Sequence, residues 1–192
     1  MKKALLIIFL AISFTPLFSQ SFDEMLAIAE QGNSDGQYNV AIMYENGEGT
    51  LKDLEKAFYW YSKSAEQGDK DAQFSLGAQY CFGEGTLKDL EKAFYWYTKS
   101  AEQGKSSAQY NLGAMYYNGD GTSKDLKKAI YWYTKSAEQG TIDAQSNLGI
   151  MYYKGEGTSK DLKKAAYWLK KAYEKGNDPA GDLLTDWDLW GY

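Results

Sequence analysis

The side chains of this sequence best placed for chemistry are acidic residues in four glycine-rich loops that recur at a fixed interval. Glu48, Glu84, Asp120 and Glu156 each stand between two glycines, 36 residues apart. Carboxylates are metal ligands, and Gly-x-Gly loops cradle phosphates when a strand precedes them and a Lys-Ser/Thr pair follows. No such pair follows here, and successive helical units lie roughly 10 Å apart, too far for ligands that bind a metal at ~2–2.6 Å. We therefore interpret the loops as turns between helices.

The usual catalytic side chains are absent from the sequence. It has no His and no Arg, one cysteine (Cys81), and no Ser-x-x-Lys sequence of the kind that β-lactam-directed enzymes carry. The general bases and activated nucleophiles of acyl transfer are thus missing. All 21 basic residues are Lys, against 26 Asp and Glu, for a net charge of −5. We expect no catalytic, metal-binding or cofactor-binding residues, and no nucleic-acid partner.

The first nineteen residues have the composition of a secretory signal peptide. A basic start, Met1-Lys2-Lys3, precedes an apolar run over 4–14 and a polar segment that ends at Ser19. The apolar run is shorter than the about 20 residues that span a bilayer. We expect cleavage after Ser19 and an exported protein, periplasmic or secreted in a bacterial cell envelope, with no stable membrane insertion after cleavage. The alternative is a retained N-terminal anchor.

A period of 36 residues runs through the rest of the chain. The segments 51–68 and 87–104 read LKDLEKAFYWYSKSAEQG and LKDLEKAFYWYTKSAEQG, and differ only at Ser62 and Thr98. The same spacing relates Trp60, Trp96, Trp132 and Trp168. A fixed period of this length is typical of a stacked solenoid, in which each unit contacts its neighbours.

Each unit is predicted to contain two helices. In the second unit the first helix runs from about Asp71 to Phe82, and the second begins near Thr86 or Asp89 and ends before Gly104. The residues predicted to be buried on the two helices are Ala72, Leu76, Gly77 and Tyr80, then Ala93, Trp96, Tyr97, Ser100 and Ala101. Tyr95 is predicted to face outward.

The pattern resembles the Sel1-like repeat family, relatives of tetratricopeptide repeats. In the third unit the matching residues are Ala108, Leu112, Gly113, Tyr116, Gly119, Gly121, Asp125, Lys128, Ala129, Trp132, Tyr133, Ser136, Ala137 and Gly140. The resemblance implies an all-α fold, a right-handed α/α superhelical solenoid of helix-turn-helix repeats. The predicted units are an N-terminal capping helix at 20–32, repeats at 33–68, 69–104, 105–140 and 141–176, and a C-terminal capping helix at 177–192. Two interpretations remain open for the last segment: a cap, or a surface where Trp187 and Trp190 dock a partner or a second copy.

The first helices differ from unit to unit at four positions that share one helical face. The resemblance to tetratricopeptide repeats implies that this face lines a concave groove that binds a protein or an extended peptide. The predicted groove residues are Tyr38, Glu45, Phe74, Cys81, Phe82, Tyr110, Tyr117, Asn118, Tyr153 and Lys154, with Ile42, Asn46, Ala78, Ala114, Ser146 and Ile150 on the same face. For Tyr38, Phe74 and Tyr110, packing between helices is an equal alternative.

The sequence therefore favours an exported, non-catalytic adaptor or scaffold over two rivals. The first rival is a cell-wall or β-lactam-directed hydrolase, an activity assigned to some proteins of the resembled family. The second is a structural module that assembles through its caps.

Overall fold

The computed structural model describes residues 21–192, which form ten α-helices and no strand. Residues 1–20, with the predicted signal peptide, lie outside the described part. The helices are α1 (Phe22–Glu30), α2 (Ser34–Asn46), α3 (Leu54–Glu66), α4 (Lys70–Phe82), α5 (Leu90–Glu102), α6 (Ser106–Asn118), α7 (Leu126–Glu138), α8 (Ile142–Lys154), α9 (Leu162–Tyr173) and α10 (Asp178–Asp186). None of these is long and apolar enough to cross a membrane.

The helices form a row of hairpins in which each helix packs on the one before it and the one after it. The pairs α2/α3, α4/α5, α6/α7 and α8/α9 are the four units of the period, with α1 and α10 at the two ends. The all-α solenoid expected from the sequence is confirmed. Helix α1 begins with a capping box, in which the Ser21 and Glu24 side chains each accept a hydrogen bond from the other's backbone N–H.

Aspartates begin the second helix of every hairpin. Asp89 Oδ1 accepts a hydrogen bond from the Lys92 backbone N–H at 3.0 Å, and its backbone is extended, as an N-cap requires. The sequence left Thr86 and Asp89 open, and the structure selects Asp89. The equivalent N-caps are Asp53, Asp125 and Asp161.

The second glycine of each Gly-x-Gly loop is where one hairpin touches the hairpin before it. Gly121 has φ +65°, and a Cβ there would overlap the Leu90 carbonyl oxygen of the preceding hairpin. Gly85 has φ +68° and sits in the same way against the Leu54 carbonyl. A glycine is needed both for the positive φ and for the close approach of two backbones. The loops are therefore structural turns, as the sequence predicted.

Small residues fill the interior, together with a buried tyrosine near the middle of the second helix in each of the first three hairpins. Ala72, Leu76 and Ala93 are at most 1 % exposed. Tyr97 is also buried, whereas Trp96, which the sequence placed beside it in the core, is only half-buried. Tyr95, predicted to face outward, is 51 % exposed. The Trp96 ring packs edge-on against exposed Tyr95, with the two ring centroids 4.9 Å apart.

A ladder of glutamine side chains joins successive hairpins. Gln73 Nε2 donates to the Ala65 carbonyl at 3.1 Å, and Gln103 Nε2 donates to Gln73 Oε1 at 2.8 Å. The ladder ends at Gln145, where Lys175 stands in place of the expected second glutamine. Lys175 Nζ donates to the Gly140 carbonyl at 3.1 Å, and Gln145 Oε1 is buried without a partner. The last hairpin is thus atypical, as terminal repeats of a solenoid generally are.

Candidate functional site

One face of the first helices, α2, α4, α6 and α8, holds the residues that the sequence predicted to bind a partner. Three of their aromatic rings are half-buried and pack on the buried tyrosine of the same hairpin. The ring pairs, each 5.7 Å between centroids, are Tyr38–Tyr61, Phe74–Tyr97 and Tyr110–Tyr133. These three rings line the face. Each ring also packs the first helix of its hairpin against the second helix.

The buried tyrosines beneath this face are held in their neutral form. Burial raises the pKa of Tyr61, Tyr97 and Tyr133 well above the usual value of 10.0. Tyr61 also donates its hydroxyl to Glu45 Oε2 at 2.7 Å. Glu45, a predicted groove residue, is thereby engaged within its own hairpin.

A cavity of about 380 Å³ opens between α6 and α8 on the same face. It is lined by Ala114, Tyr117, Asn118, Tyr133, Asn147, Ile150, Met151 and Lys154. Tyr117, Asn118 and Lys154 are predicted groove residues, and Ala114 and Ile150 occupy the other variable positions of the same two helices. The structure thus brings five variable positions of the third and fourth hairpins around one space.

The mouth of the cavity carries paired polar groups from the glycine-rich loops. The Tyr117 hydroxyl donates to Glu156 Oε2 at 2.9 Å, and this hydrogen bond, with burial, raises the pKa of Tyr117. Lys154 Nζ lies 3.9 Å from Glu156 Oε1. Asn118 Nδ2 donates to Asp120 Oδ2 at 3.0 Å. The acidic residues of two loops therefore orient three side chains around the opening.

The remaining predicted groove residues lie outside this cavity. Cys81 is half-buried, and burial raises the pKa of its thiol, so its reactive thiolate is disfavoured. Phe82 is 70 % exposed at the end of α4. Tyr153 is covered by the C-terminal segment, because the Trp187 ring stacks on it at 3.7 Å with an interplanar angle of 7°.

Three lining residues were not predicted: Tyr133, Asn147 and Met151. Tyr133 has tyrosine counterparts in two other hairpins and Leu169 in the fourth, but it lies on a second helix, whereas the predicted groove was drawn from the first helices. Met151 has methionine counterparts at Met43 and Met115 but a glutamine at Gln79, so this position also varies between hairpins. Asn147 had a usable signal, since its counterparts include a serine, Ser75, as well as asparagines.

The lining of the cavity has the composition of a binding pocket. Its walls are apolar and aromatic, with amide, hydroxyl and ammonium groups at the rim, as in small-molecule and peptide pockets. In the described residues no three His, Cys, Asp or Glu side chains lie close enough together to hold a metal ion.

The Sel1 repeat family model matches four consecutive segments of the chain, 34–69, 70–105, 106–141 and 142–177. The chain belongs to the Sel1 repeat family. The matched segments begin one residue after the repeat boundaries predicted from the glycines. Sel1 repeats generally mediate protein–protein interaction, and their fold is that of a scaffold.

Solved Sel1 repeat structures share the fold. A protective antigen of uropathogenic Escherichia coli strains, which displays an SLR fold, is 36 % identical with a TM-score of 0.84 over 86 % of this chain. A Sel1 repeat protein from Oxalobacter formigenes is 36 % identical, with a TM-score of 0.75 over 83 % of this chain. Helicobacter pylori cysteine rich protein B is 31 % identical over 71 % of this chain and 98 % of its own length, with a TM-score of 0.55.

This Sel1 repeat chain is shorter than two of those relatives. It spans 36 % of the length of the E. coli antigen and 65 % of that of the O. formigenes protein. Comparison with curated protein sequences gives no match.

Proposed function

We propose that the protein is an exported, non-catalytic scaffold that binds an extended segment of a partner protein along its first helices. The observation that carries this proposal is the cavity of about 380 Å³ between α6 and α8. Its volume lies within the roughly 300–1,000 Å³ of ligand pockets, which is room for one or two side chains of a bound peptide.

The shape and the lining of the cavity favour a peptide over a small metabolite. Its apolar floor of Ile150, Met151 and Tyr133 suits an aliphatic or aromatic anchor side chain. Asn118, Asn147 and Lys154 offer amide and ammonium groups to a peptide backbone or to an acidic neighbour of the anchor. Export is supported by the basic, apolar and polar order of residues 1–19.

Selection of peptides from a displayed random library against the purified protein tests the proposal. We expect selected peptides to share an apolar anchor, and Ile150→Asp to weaken their binding at least about tenfold, because a buried carboxylate replaces an apolar wall. Binding is measured by titration calorimetry or fluorescence anisotropy.

The first hairpin supplies a matched control. Asn46 occupies the position of Asn118 and also donates to its loop carboxylate, Glu48, at 2.9 Å, away from the cavity. Asn118→Ala should weaken peptide binding more than Asn46→Ala, because Asn46 lies outside the cavity that holds the anchor side chain. Peptides that bind both variants and Ile150→Asp as well as the original protein would show that the cavity is not the binding site.

A further inference from the structure

The two halves of the repeat array carry opposite charge. Residues 33–104 hold 7 Lys against 12 Asp and Glu, whereas residues 105–176 hold 12 Lys against 7 Asp and Glu. The net charges are thus −5 and +5 over two stretches of equal length. Such a distribution favours association between unlike halves of two molecules.

Part of this asymmetry lies on the outer face of the second helices, away from the cavity. The second residue of these helices is Glu55, Glu91, Lys127 and Lys163 in chain order, and all four side chains are exposed. No ion pair within residues 21–192 involves any of the four. Because they recur every 36 residues, the spacing between the two glutamates equals that between the two lysines.

An exposed tyrosine follows each of these residues on the same side of its helix. The four rings are about half exposed: Tyr59 52 %, Tyr95 51 %, Tyr131 53 % and Tyr167 50 %. A residue and the one four positions later share a helix face, so the charges and the rings form one stripe across α3, α5, α7 and α9. Tyrosine is enriched at protein interfaces because its ring contributes apolar contact area and its hydroxyl can stay hydrated.

From this pattern we propose that the outer face of the second helices is a dimer interface for a second copy of this chain. A two-fold axis parallel to the helices and midway between α5 and α7 places Glu91 opposite the second copy's Lys127, and Glu55 opposite its Lys163. The order Glu, Glu, Lys, Lys is self-complementary under this operation, which is the requirement for a closed, isologous dimer. The same operation brings Tyr95 of one copy against Tyr131 of the other.

Under the same operation the exposed lysines at the far end of the stripe, Lys99 and the second copy's Lys135, face each other as like charges. Lys99 Nζ lies 5.7 Å from the centroid of the Tyr95 ring, and Lys135 Nζ lies 5.8 Å from that of Tyr131. Each ammonium is attracted to a ring of its own helix. The pair nearest the axis, Glu91 with Lys127, occurs twice in the dimer and is expected to contribute most.

Sedimentation velocity at low salt, about 50 mM, over roughly 1 μM to 1 mM protein tests the proposal. We expect a monomer–dimer equilibrium that shifts to monomer at about 1 M salt, where charges are screened beyond ~3 Å. Glu91→Lys and Lys127→Glu should each raise the dimer dissociation constant at least about tenfold. The double variant with both changes should restore the dimer, because the pair is re-formed with its charges exchanged.

A matched control variant and the thermal unfolding transition distinguish a weakened dimer from a misfolded protein. Lys70→Glu makes the same charge change as Lys127→Glu. Lys70 is exposed in the first turn of α4, at the opposite end of the second hairpin from Glu91. This variant should leave the dimer dissociation constant unchanged. Circular dichroism should show the same helix content for every variant, with only small shifts in melting from the changed charge at a helix N-terminus, since all positions are exposed. A monomer throughout, a dimer indifferent to both single reversals, or growth beyond the dimer would each overturn the proposed interface.

Discussion

At the scale of the residue, Gln79 is the least favourable side chain in the interior. It is 1 % exposed, and neither its Nε2 nor its Oε1 has a hydrogen-bond partner within residues 21–192. Methionine stands at the same place in the other hairpins, at Met43, Met115 and Met151. A buried amide without partners costs about 1–3 kcal/mol of desolvation that is not regained.

Replacement of Gln79 by methionine should therefore stabilise the protein by about 1–3 kcal/mol, since the two side chains have nearly the same shape. Urea denaturation followed by circular dichroism measures the change. The reverse substitution in the next hairpin, Met115→Gln, is the control and should destabilise by a similar amount. An unchanged or lowered midpoint for Gln79→Met would mean that the amide has a partner in solution, for example a bound water.

Sequence patterns do not predict the burial and contacts of every individual side chain. The helical stripe in the second unit holds two adjacent aromatics, and periodicity alone cannot say that Tyr97 is buried and Trp96 half-exposed. The covering of Tyr153 by Trp187 depends on the path of the chain after α10, which follows no repeat. Glu45 and Tyr61 are 16 residues apart, so their hydrogen bond becomes visible only once the hairpin is folded.

At the scale of the element, the fold follows closely from local signals in the sequence. Glycines end the first helices, aspartates begin the second helices, and alanines mark the faces that pack. These signals recur in every unit, so each one supports the others. The lining of the cavity is harder to predict from such signals, because it combines variable residues of the first helices with Tyr133 of a second helix, which is a tyrosine in three of the four units.

The Gly-x-Gly loops lead to a prediction at this scale. Gly121→Ala forces a Cβ onto the Leu90 carbonyl as well as a positive φ, and should destabilise by about 2–5 kcal/mol, combining strain with overpacking. Gly104 has φ +89° with no atom within 4 Å of an added Cβ. Gly104→Ala should thus cost only the backbone strain, about 1 kcal/mol or slightly more. Denaturant unfolding of both variants checks the ordering, and equal losses would contradict the role of the loop as a contact between hairpins.

At the scale of the whole molecule, the first three hairpins each bury a tyrosine at the same position of the second helix, and this gives stability a dependence on alkaline pH. Tyr61, Tyr97 and Tyr133 have folded-state pKa values above the ordinary 10.0, chiefly through burial. Above pH 10 the unfolded chain releases these protons while the folded chain retains them. Their stabilising contribution is complete below pH 10 and is lost as pH rises above it, by up to about 1.4 kcal/mol per pH unit for each tyrosine.

We expect the free energy of unfolding to fall between pH 10 and pH 11, and Tyr97→Phe to make that fall less steep by about one tyrosine's share. Urea titrations at stepped pH values provide the measurement. Tyr192→Phe, at an exposed site, is the control, because its hydroxyl stays in water whether or not the chain is folded. An identical slope in Tyr97→Phe and in the original protein would contradict the assignment.

The near-identity of α3 and α5, whose sequences differ only at Ser62 and Thr98, separates the molecule into a constant and a variable part. The second helices of the first two hairpins, α3 and α5, offer nearly the same packing surface to the first helices α2 and α4. Exchanging α2 with α4 would therefore move the predicted groove residues of one hairpin to the other, while the second helix beneath them stays almost the same. On the function proposed above, recognition would be modular, and new specificities would follow from exchanging first helices over these two nearly identical second helices.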